Sequence, residues 1–358
     1  MKNITRDINT GEYKRVYLLY GEEEYLKKMY AKKLAAAVCD PEDTMNTTVF
    51  QGDSLDINEL IGISSTMPFF ADRRLVMVYG SGLFKGKGSA AKDKDEETED
   101  AESTAGSGSD KDKLTDFIKE IPDTTVLVFV EKKDREKDGR KITEVDKRSR
   151  LFKAVVANGY AAEINAPSEN DLRNWIAQGL AKNGKRISAA TADYLVKYSG
   201  QDMQNLKNEI DKLVLYAFDR EVITNEDIDA VCVKALSARI FDMTDSMVTG
   251  RRREALSIYA TLTAMREPVQ MIFYMLLRHY DQLYVIKEMK ETGAGRGEMA
   301  SAISAQDFVV RKLLQQSERY TLSQIREMIE YGVGLECDWK SGKISPDNIV
   351  ELFIMHNA

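Results

Sequence analysis

Val16-Tyr17-Leu18-Leu19-Tyr20-Gly21-Glu22-Glu23-Glu24 decides the fold class. Five consecutive apolar or aromatic residues read as a short, fully buried strand, and Gly21 ends it. The three glutamates then open a helix that runs to about Val38, where Asp40-Pro41 closes it. An all-apolar strand followed by glycine and a helix is how a parallel α/β sheet begins, because such strands are covered on both faces.

In nucleotide-binding proteins with this opening, the corner carries G-x-x-x-x-G-K-[ST], whose amides and lysine hold phosphates. Here it reads Gly21-Glu22-Glu23-Glu24-Tyr25-Leu26-Lys27-Lys28. The second glycine and the hydroxyl residue are missing, and three carboxylates stand where an anionic ligand would lie. Acids suit a helix N-terminus, but they repel a triphosphate. Gly86-Lys87-Gly88, Gly184-Lys185-Arg186 and Gly342-Lys343-Ile344 do not complete the motif elsewhere. Further strands are expected at Thr47-Thr48-Val49-Phe50, Leu75 to Tyr79, Thr125 to Val130 and Tyr160 to Ile164. Helices fit between them at about Asp56 to Ser65, Leu114 to Ile121 and Arg150 to Asn158. After the fourth strand an NTPase presents an Asp-Glu pair for its metal ion and water. This chain has Glu131-Lys132-Lys133, and a lysine there opposes Mg²⁺. The expectation is an α/β domain that does not hydrolyse ATP.

A chain of 358 residues suggests two or three domains. Its 43% hydrophobic and 30% charged content is that of a globular protein. No apolar run approaches the roughly 20 residues that cross a bilayer, and the N-terminus lacks a signal-peptide pattern, so a cytoplasmic location is expected. Cys39, Cys232 and Cys337 have no metal-site or disulfide spacing, and only His279 and His356 could supply imidazole. No metal, cofactor or catalytic residue is indicated. The net charge of −7 is concentrated: nine acids and three lysines between Ala91 and Asp112 carry −6, leaving −1 for everything else. The stretch Gly80 to Lys113 has too few large apolar residues to offset its chain entropy and reads as a disordered acidic insertion. The mostly basic Lys132 to Lys153 reads as a solvated loop leading into a helix; without interleaved aromatics it lacks a base-stacking pattern.

The third strand is preceded by Ser65-Thr66-Met67-Pro68-Phe69-Phe70-Ala71-Asp72-Arg73-Arg74. Two adjacent phenylalanines cannot share one face of a strand or stack along a helix. Either both rings tuck under a helix edge, as large apolar residues commonly do, or one is offered to a partner. After Pro167-Ser168 the pattern becomes helical. Helices are expected at Glu169 to Lys182, about Ser188 to Tyr198, Met203 to Phe218 and Asp227 to Val233, the last capped by Thr224 and Asp227. From Ala235 onward, Val269, Ile272, Phe273, Leu276, Leu277, Tyr280, Leu283 and Tyr284 form a buried stripe. Glycine and serine punctuation divides this segment into about five helices.

Together these stretches resemble the delta subunit family of the bacterial DNA polymerase III clamp loader. The likeness runs over nearly the whole chain. Tyr17 to Glu23 looks like the family's first strand and turn, Met67 to Val76 like its clamp-binding corner, and Asp202 to Leu213 like its lid helix. Pro268 to Tyr284 is similar to its collar helix, and Asp338-Trp339-Lys340-Ser341-Gly342-Lys343 to its terminal turn. The resemblance implies an α/β domain followed by all-α domains. Residues 1–166 would be an AAA+-like, P-loop-type five-stranded parallel sheet without nucleotide motifs, carrying the insertion 80–113. Residues 167–234 would be a small helical lid and 235–358 a C-terminal helical collar that oligomerises. The implied role is to bind and open the ring-shaped sliding clamp, the beta subunit, during DNA replication. The implied partners are the gamma/tau motor subunits, delta-prime and primer-template DNA, with no membrane. The chain would have no catalytic activity of its own, while belonging to a DNA-directed DNA polymerase holoenzyme, a nucleotidyltransferase. Met67, Pro68, Phe69 and Phe70 match the clamp-binding positions, and Arg73 and Arg74 are candidates for the rim or for DNA. The acidic insertion departs from the family spacing. Two other readings remain open on the residues: an NTPase with a divergent phosphate loop, and a stand-alone DNA-binding adaptor with salt-dependent affinity.

Overall fold

The computed structural model describes residues 2–40, 43–52, 55–85, 108–132, 135–137, 140–142, 145–305 and 307–357. The chain divides into two compact units, Met1–Ser168 and Glu169–Ala358.

In the first unit the strands are β1 (Val16–Tyr20), β2 (Thr47–Gln51), β3 (Arg74–Tyr79), β4 (Thr125–Val130), a small antiparallel hairpin β5 (Arg135–Lys137) and β6 (Arg140–Ile142), and β7 (Tyr160–Glu163). Five of them form one parallel sheet in the order β2-β3-β4-β1-β7. The helices are α1 (Lys2–Thr10), α2 (Glu24–Val38), α3 (Ile57–Ser65), α4 (Gly108–Glu120) and α5 (Arg150–Asn158). Parallel pairing needs a crossover after every strand, and α2 to α5 supply them. The inner strands β1, β3 and β4 are the continuously apolar runs and are buried almost throughout; the edges β2 and β7 are only part-buried. On one face Leu18, Val76, Val78, Leu127 and Phe129 meet Leu60, Leu114, Ile118, Leu151 and Val155 from α3, α4 and α5. Each such side chain contributes roughly 1.5–3 kcal/mol, so the cluster outweighs helix caps at about 1 kcal/mol each, such as Asp56 and Ser149. α2 covers the other face.

The first helix, α1, has no counterpart among the expected elements. Its anchor is Tyr17 of β1, whose hydroxyl donates to Asp7 at 2.9 Å and accepts from the Lys14 amide at 2.8 Å. Both ends of the stretch expected to be a disordered insertion are ordered. Leu83 and Phe84 are buried in the sheet's core, and α4 begins at Gly108, six residues before Leu114. Two apolar residues sufficed to anchor the near end, and Lys113–Asp110 and Lys119–Asp116 pairs support the helical far end. Residues 86–107, which carry most of the expected insertion, lie outside the described residues.

The second unit opens with α6 (Glu169–Ala181), β8 (Arg186–Ile187), α7 (Ala189–Ser199), α8 (Met203–Tyr216), β9 (Val222–Ile223) and α9 (Asn225–Val231). β8 and β9 form a two-residue parallel pair, too short to leave a period-two signal. The Thr224–Asp227 capping box is present, but α9 starts at Asn225, because Asp227 occupies the third helical position of the box rather than the first. Then follow α10 (Leu236–Val248), α11 (Arg252–Ala264), α12 (Val269–Glu291), α13 (Arg296–Ala302), α14 (Asp307–Ser317), α15 (Leu322–Lys340) and α16 (Ile349–Asn357). That is seven helices among the described residues where the punctuation suggested about five. The stripe of α12 is central: Ile272, Phe273, Leu276, Tyr280 and Leu283 are buried against α10, α14, α15 and α16. No helix among the described residues is long and apolar enough to cross a membrane.

Candidate functional site

At the C-terminal end of α3 the chain turns sharply toward β3. The Thr66 hydroxyl donates to the Gly62 carbonyl at 2.9 Å and the Thr66 amide to Ile63 at 3.1 Å, which stops the helix one residue before Met67. Met67 is 78% exposed, Phe69 55% and Phe70 95%. The rings of Phe69 and Phe70 meet edge to face, with centroids 4.6 Å apart and planes at 82°. Phe70 has φ +49°, a left-handed conformation that a bulky side chain adopts only when its surroundings impose it. The two rings therefore pack on each other and not under a helix edge.

The support beneath them is Asn46, which is 1% exposed and sits directly before β2. Its Oδ1 accepts the Phe69 amide at 2.6 Å, and its Nδ2 donates to the Phe69 carbonyl at 2.9 Å and to Asp43 Oδ2 at 2.7 Å. Asp43 Oδ1 also accepts the amides of Met45 and Asn46, both at 3.0 Å. These bonds, led by the Asn46 side chain, hold the Asp43 carboxyl below its ordinary range. The Asn46 carbonyl accepts the Leu75 amide at 2.8 Å, so one residue ties the corner to the first pairing of β2 with β3.

The two arginines face different surroundings. The Arg73 guanidinium lies over the Tyr13 ring, 5.4 Å from its centroid, and donates to the Asp123 carbonyl at 3.1 Å. The Cys39 thiol donates to the Arg73 carbonyl. Arg74 is 9% exposed at the start of β3, and its amide donates to the Thr124 carbonyl at 2.8 Å. Neither arginine is brought against the Phe69–Phe70 pair by any described bond.

A second corner lies at the carboxyl ends of β1 and β4, where open α/β sheets place ligands. Gly21 there has φ +110°, and a side chain would put Cβ 2.6 Å from the Ile164 carbonyl oxygen, so only glycine fits. Lys27 is fully buried, and its ammonium donates to the Gly21 carbonyl at 2.8 Å, the Glu131 carbonyl at 2.7 Å and Glu24 Oε1 at 2.7 Å. An ammonium has three N–H bonds, and these partners use all three. The Glu131 carboxylate is turned to structure as well: it accepts the Ser81 hydroxyl and, at 3.1 Å, the Gly82 amide. Lys27 and Glu131 are thus both bonded to groups of the corner itself.

Asn46 and Asp43 were not among the expected site residues. Asp-x-x-Asn before a strand is a turn signal, but the contact with Phe69 spans 23 positions and leaves no mark in the spacing.

Comparison with known proteins identifies two family matches. The DNA polymerase III delta subunit family matches residues 17–155, and the C-terminal domain of the DNA polymerase III delta subunit matches residues 237–357. The Bacillus subtilis protein named DNA polymerase III subunit delta is 26% identical over 357 residues, covering 99% of this chain and 95% of that protein. A probable DNA polymerase III subunit delta of Aquifex aeolicus is 21% identical over 282 residues, covering 78% of this chain and 72% of its own length. The solved structure of the Bacillus subtilis DNA clamp loader delta protein shares the fold, with a TM-score of 0.68 at 23% identity, covering 99% of this chain and 98% of that one.

Proposed function

This chain belongs to the DNA polymerase III delta subunit family, and from that premise we propose that it grips and opens the ring-shaped sliding clamp without hydrolysing ATP itself. The observation that carries the reading is the exposure of Met67, Phe69 and Phe70 on a corner whose backbone is fixed from below. An aromatic pair that leaves water only in a partner's pocket, ringed by near-neutral contacts, is the pattern of a binding hot spot. In this role Met67 and Pro68 shape the approach and Phe69 and Phe70 enter the clamp. Arg73 and Arg74 fit a supporting role better than a rim role, since one lies on Tyr13 and the other is buried.

The saturated ammonium of Lys27 supports the absence of ATP hydrolysis in this subunit, leaving that task to motor subunits of the same assembly. The helices from Leu236 onward would form the collar that joins those subunits, after a lid at 167–234. The setting is the cytoplasm, on primed DNA during replication.

The test is clamp affinity of Phe69→Ala/Phe70→Ala beside its thermal melt. The pair should cost roughly 2–4 kcal/mol of binding. Phe70→Ala alone should leave stability within about 0.5 kcal/mol, as at other exposed positions. Unchanged clamp affinity in the double variant would sink the reading. Tight Mg-ATP binding by the isolated chain would contradict its second half.

A further inference from the structure

The exposed aromatic pair poses a mechanical difficulty. A projecting loop with a left-handed Phe70 would ordinarily sample many shapes, and binding would then have to order it. A lever that orders only on contact also transmits force poorly. The bonds around Asn46 remove both problems, and they do so through a side chain bonded to the Phe69 backbone.

We propose that Asn46 is the positioning residue that holds the Phe69–Phe70 wedge in its projecting shape before the clamp arrives, and that Asp43 fixes the orientation of its amide. The inference rests on the wedge reading above and adds to it the residue that makes the wedge rigid.

The geometry leaves the amide one arrangement. Oδ1 must face the Phe69 N–H, and the two Nδ2 protons are divided between the Phe69 carbonyl and Asp43 Oδ2. Rotated by 180°, the amide would set its oxygen against the Asp43 carboxylate and the Phe69 carbonyl, while its NH₂ met the Phe69 N–H. Three satisfied groups would become three mismatched ones. Asp43 thus reads, together with the Phe69 amide and carbonyl, which end of the side chain is which. It is itself held by the amides of Met45 and Asn46, so the arrangement is built into the turn that precedes β2.

Buried on one side and bonded to Phe69 on the other, Asn46 also joins the wedge to the sheet through its own carbonyl and the Leu75 amide. The carbonyl of Arg73, held by Cys39, pins the far side of the corner. Between these two points only Phe70, Ala71 and Asp72 span the gap. The left-handed φ of Phe70 is then the cost of closing that short span with Phe69 fixed in place. Force applied to the rings passes to the β2–β3 pairing through one short bridge.

The experiment is a double-mutant cycle on the full chain, read as clamp affinity, with amide hydrogen exchange at Phe69 as a second readout. Asn46→Ala should weaken clamp binding tenfold or more and release the Phe69 amide to exchange, while the amides of β3 beyond Leu75 stay protected. In the Phe69→Ala/Phe70→Ala background the same change should have little further effect, because Asn46 acts only through the rings. Asp43→Ala, at a part-exposed position, should give a smaller loss of the same kind and serves if Asn46→Ala does not fold. Full affinity in both Asn46→Ala and Asp43→Ala, with loss in the Phe69/Phe70 variant, would overturn this inference and leave the wedge reading standing. Equal losses in the presence and absence of the rings would overturn it too, since Asn46 would then act by another route. Full affinity in the Phe69/Phe70 variant would instead remove the wedge reading itself.

Discussion

Lys27 shows how a position can keep its residue type while changing its task. It stands where the phosphate-binding lysine of G-x-x-x-x-G-K-[ST] would be, yet its ammonium is buried on two backbone carbonyls and Glu24. Its environment would be costly for a lone cation, and only full hydrogen bonding makes it tolerable. Lys27→Met keeps the stem but leaves the carbonyls of Gly21 and Glu131 without a donor. The expected loss is about 2–4 kcal/mol, seen as a lower urea midpoint with an unchanged slope. A stability within 0.5 kcal/mol of the parent would mean that water replaces the ammonium and the corner is open. The missing second glycine was legible in the sequence. The destination of Lys27 was not, because the partner carbonyl of Glu131 is 104 positions away.

Among the elements, α12 joins a legible pattern to an illegible one. Its stripe of apolar residues could be read from three-and-four spacing, and Ile272, Phe273, Leu276, Tyr280 and Leu283 are buried as that spacing requires. His279 falls in the same helix, and periodicity leaves it either on the surface or satisfied in the core. The structure places it in the core, edge to face with Phe241 at 4.8 Å, its Nε2 at 2.7 Å from Gln316 Oε1. Gln316 donates through Nε2 to Asp245, so its oxygen must accept and the imidazole carries its proton on Nε2. Asp245, beyond Gln316, and Lys312, over the Phe241 ring, are its charged neighbours. Burial pushes the His279 pKa down to about 4 from an ordinary 6.5. The folded state therefore keeps the ring neutral while the unfolded chain takes up a proton below pH 6.5. Stability from this residue is complete above pH 6.5 and is lost as pH falls toward 4, by about 3 kcal/mol in all. His279→Gln should flatten the fall in unfolding free energy between pH 6.5 and 4.5 relative to the parent, whatever it costs at pH 7. Parallel curves for the two proteins would show that the imidazole is not kept neutral by burial. Short elements escaped the sequence for a different reason: β8 and β9 have two residues each, and α13 has seven, fewer than the repeat needed to express a period.

At the scale of the whole molecule, a five-stranded parallel sheet could be anticipated because five apolar runs alternate with helices, but the order β2-β3-β4-β1-β7 could not, since alternation is the same for several strand orders. What makes Met67 to Phe70 a candidate site was less visible, since exposure is a property of the fold and not of the residues. The two compact units, Met1–Ser168 and Glu169–Ala358, have their own apolar clusters, one around β1, β3 and β4 and one around α12. A cluster of that kind is what an independently folding domain needs. If the wedge grips the clamp and the helical collar joins the motor subunits, the two tasks should separate when the chain is cut between Ser168 and Glu169. Residues 1–168 should melt cooperatively and bind the clamp within about tenfold of the full chain, roughly 1.4 kcal/mol, yet fail to co-assemble with motor subunits. Residues 169–358 should do the reverse. Size-exclusion co-elution with each partner, beside a thermal melt of each fragment, distinguishes loss of binding from loss of folding. Clamp binding by a folded 169–358 would place the grip outside the Pro68-Phe69-Phe70 corner, and assembly of 1–168 with the motor subunits would remove the collar from its proposed task.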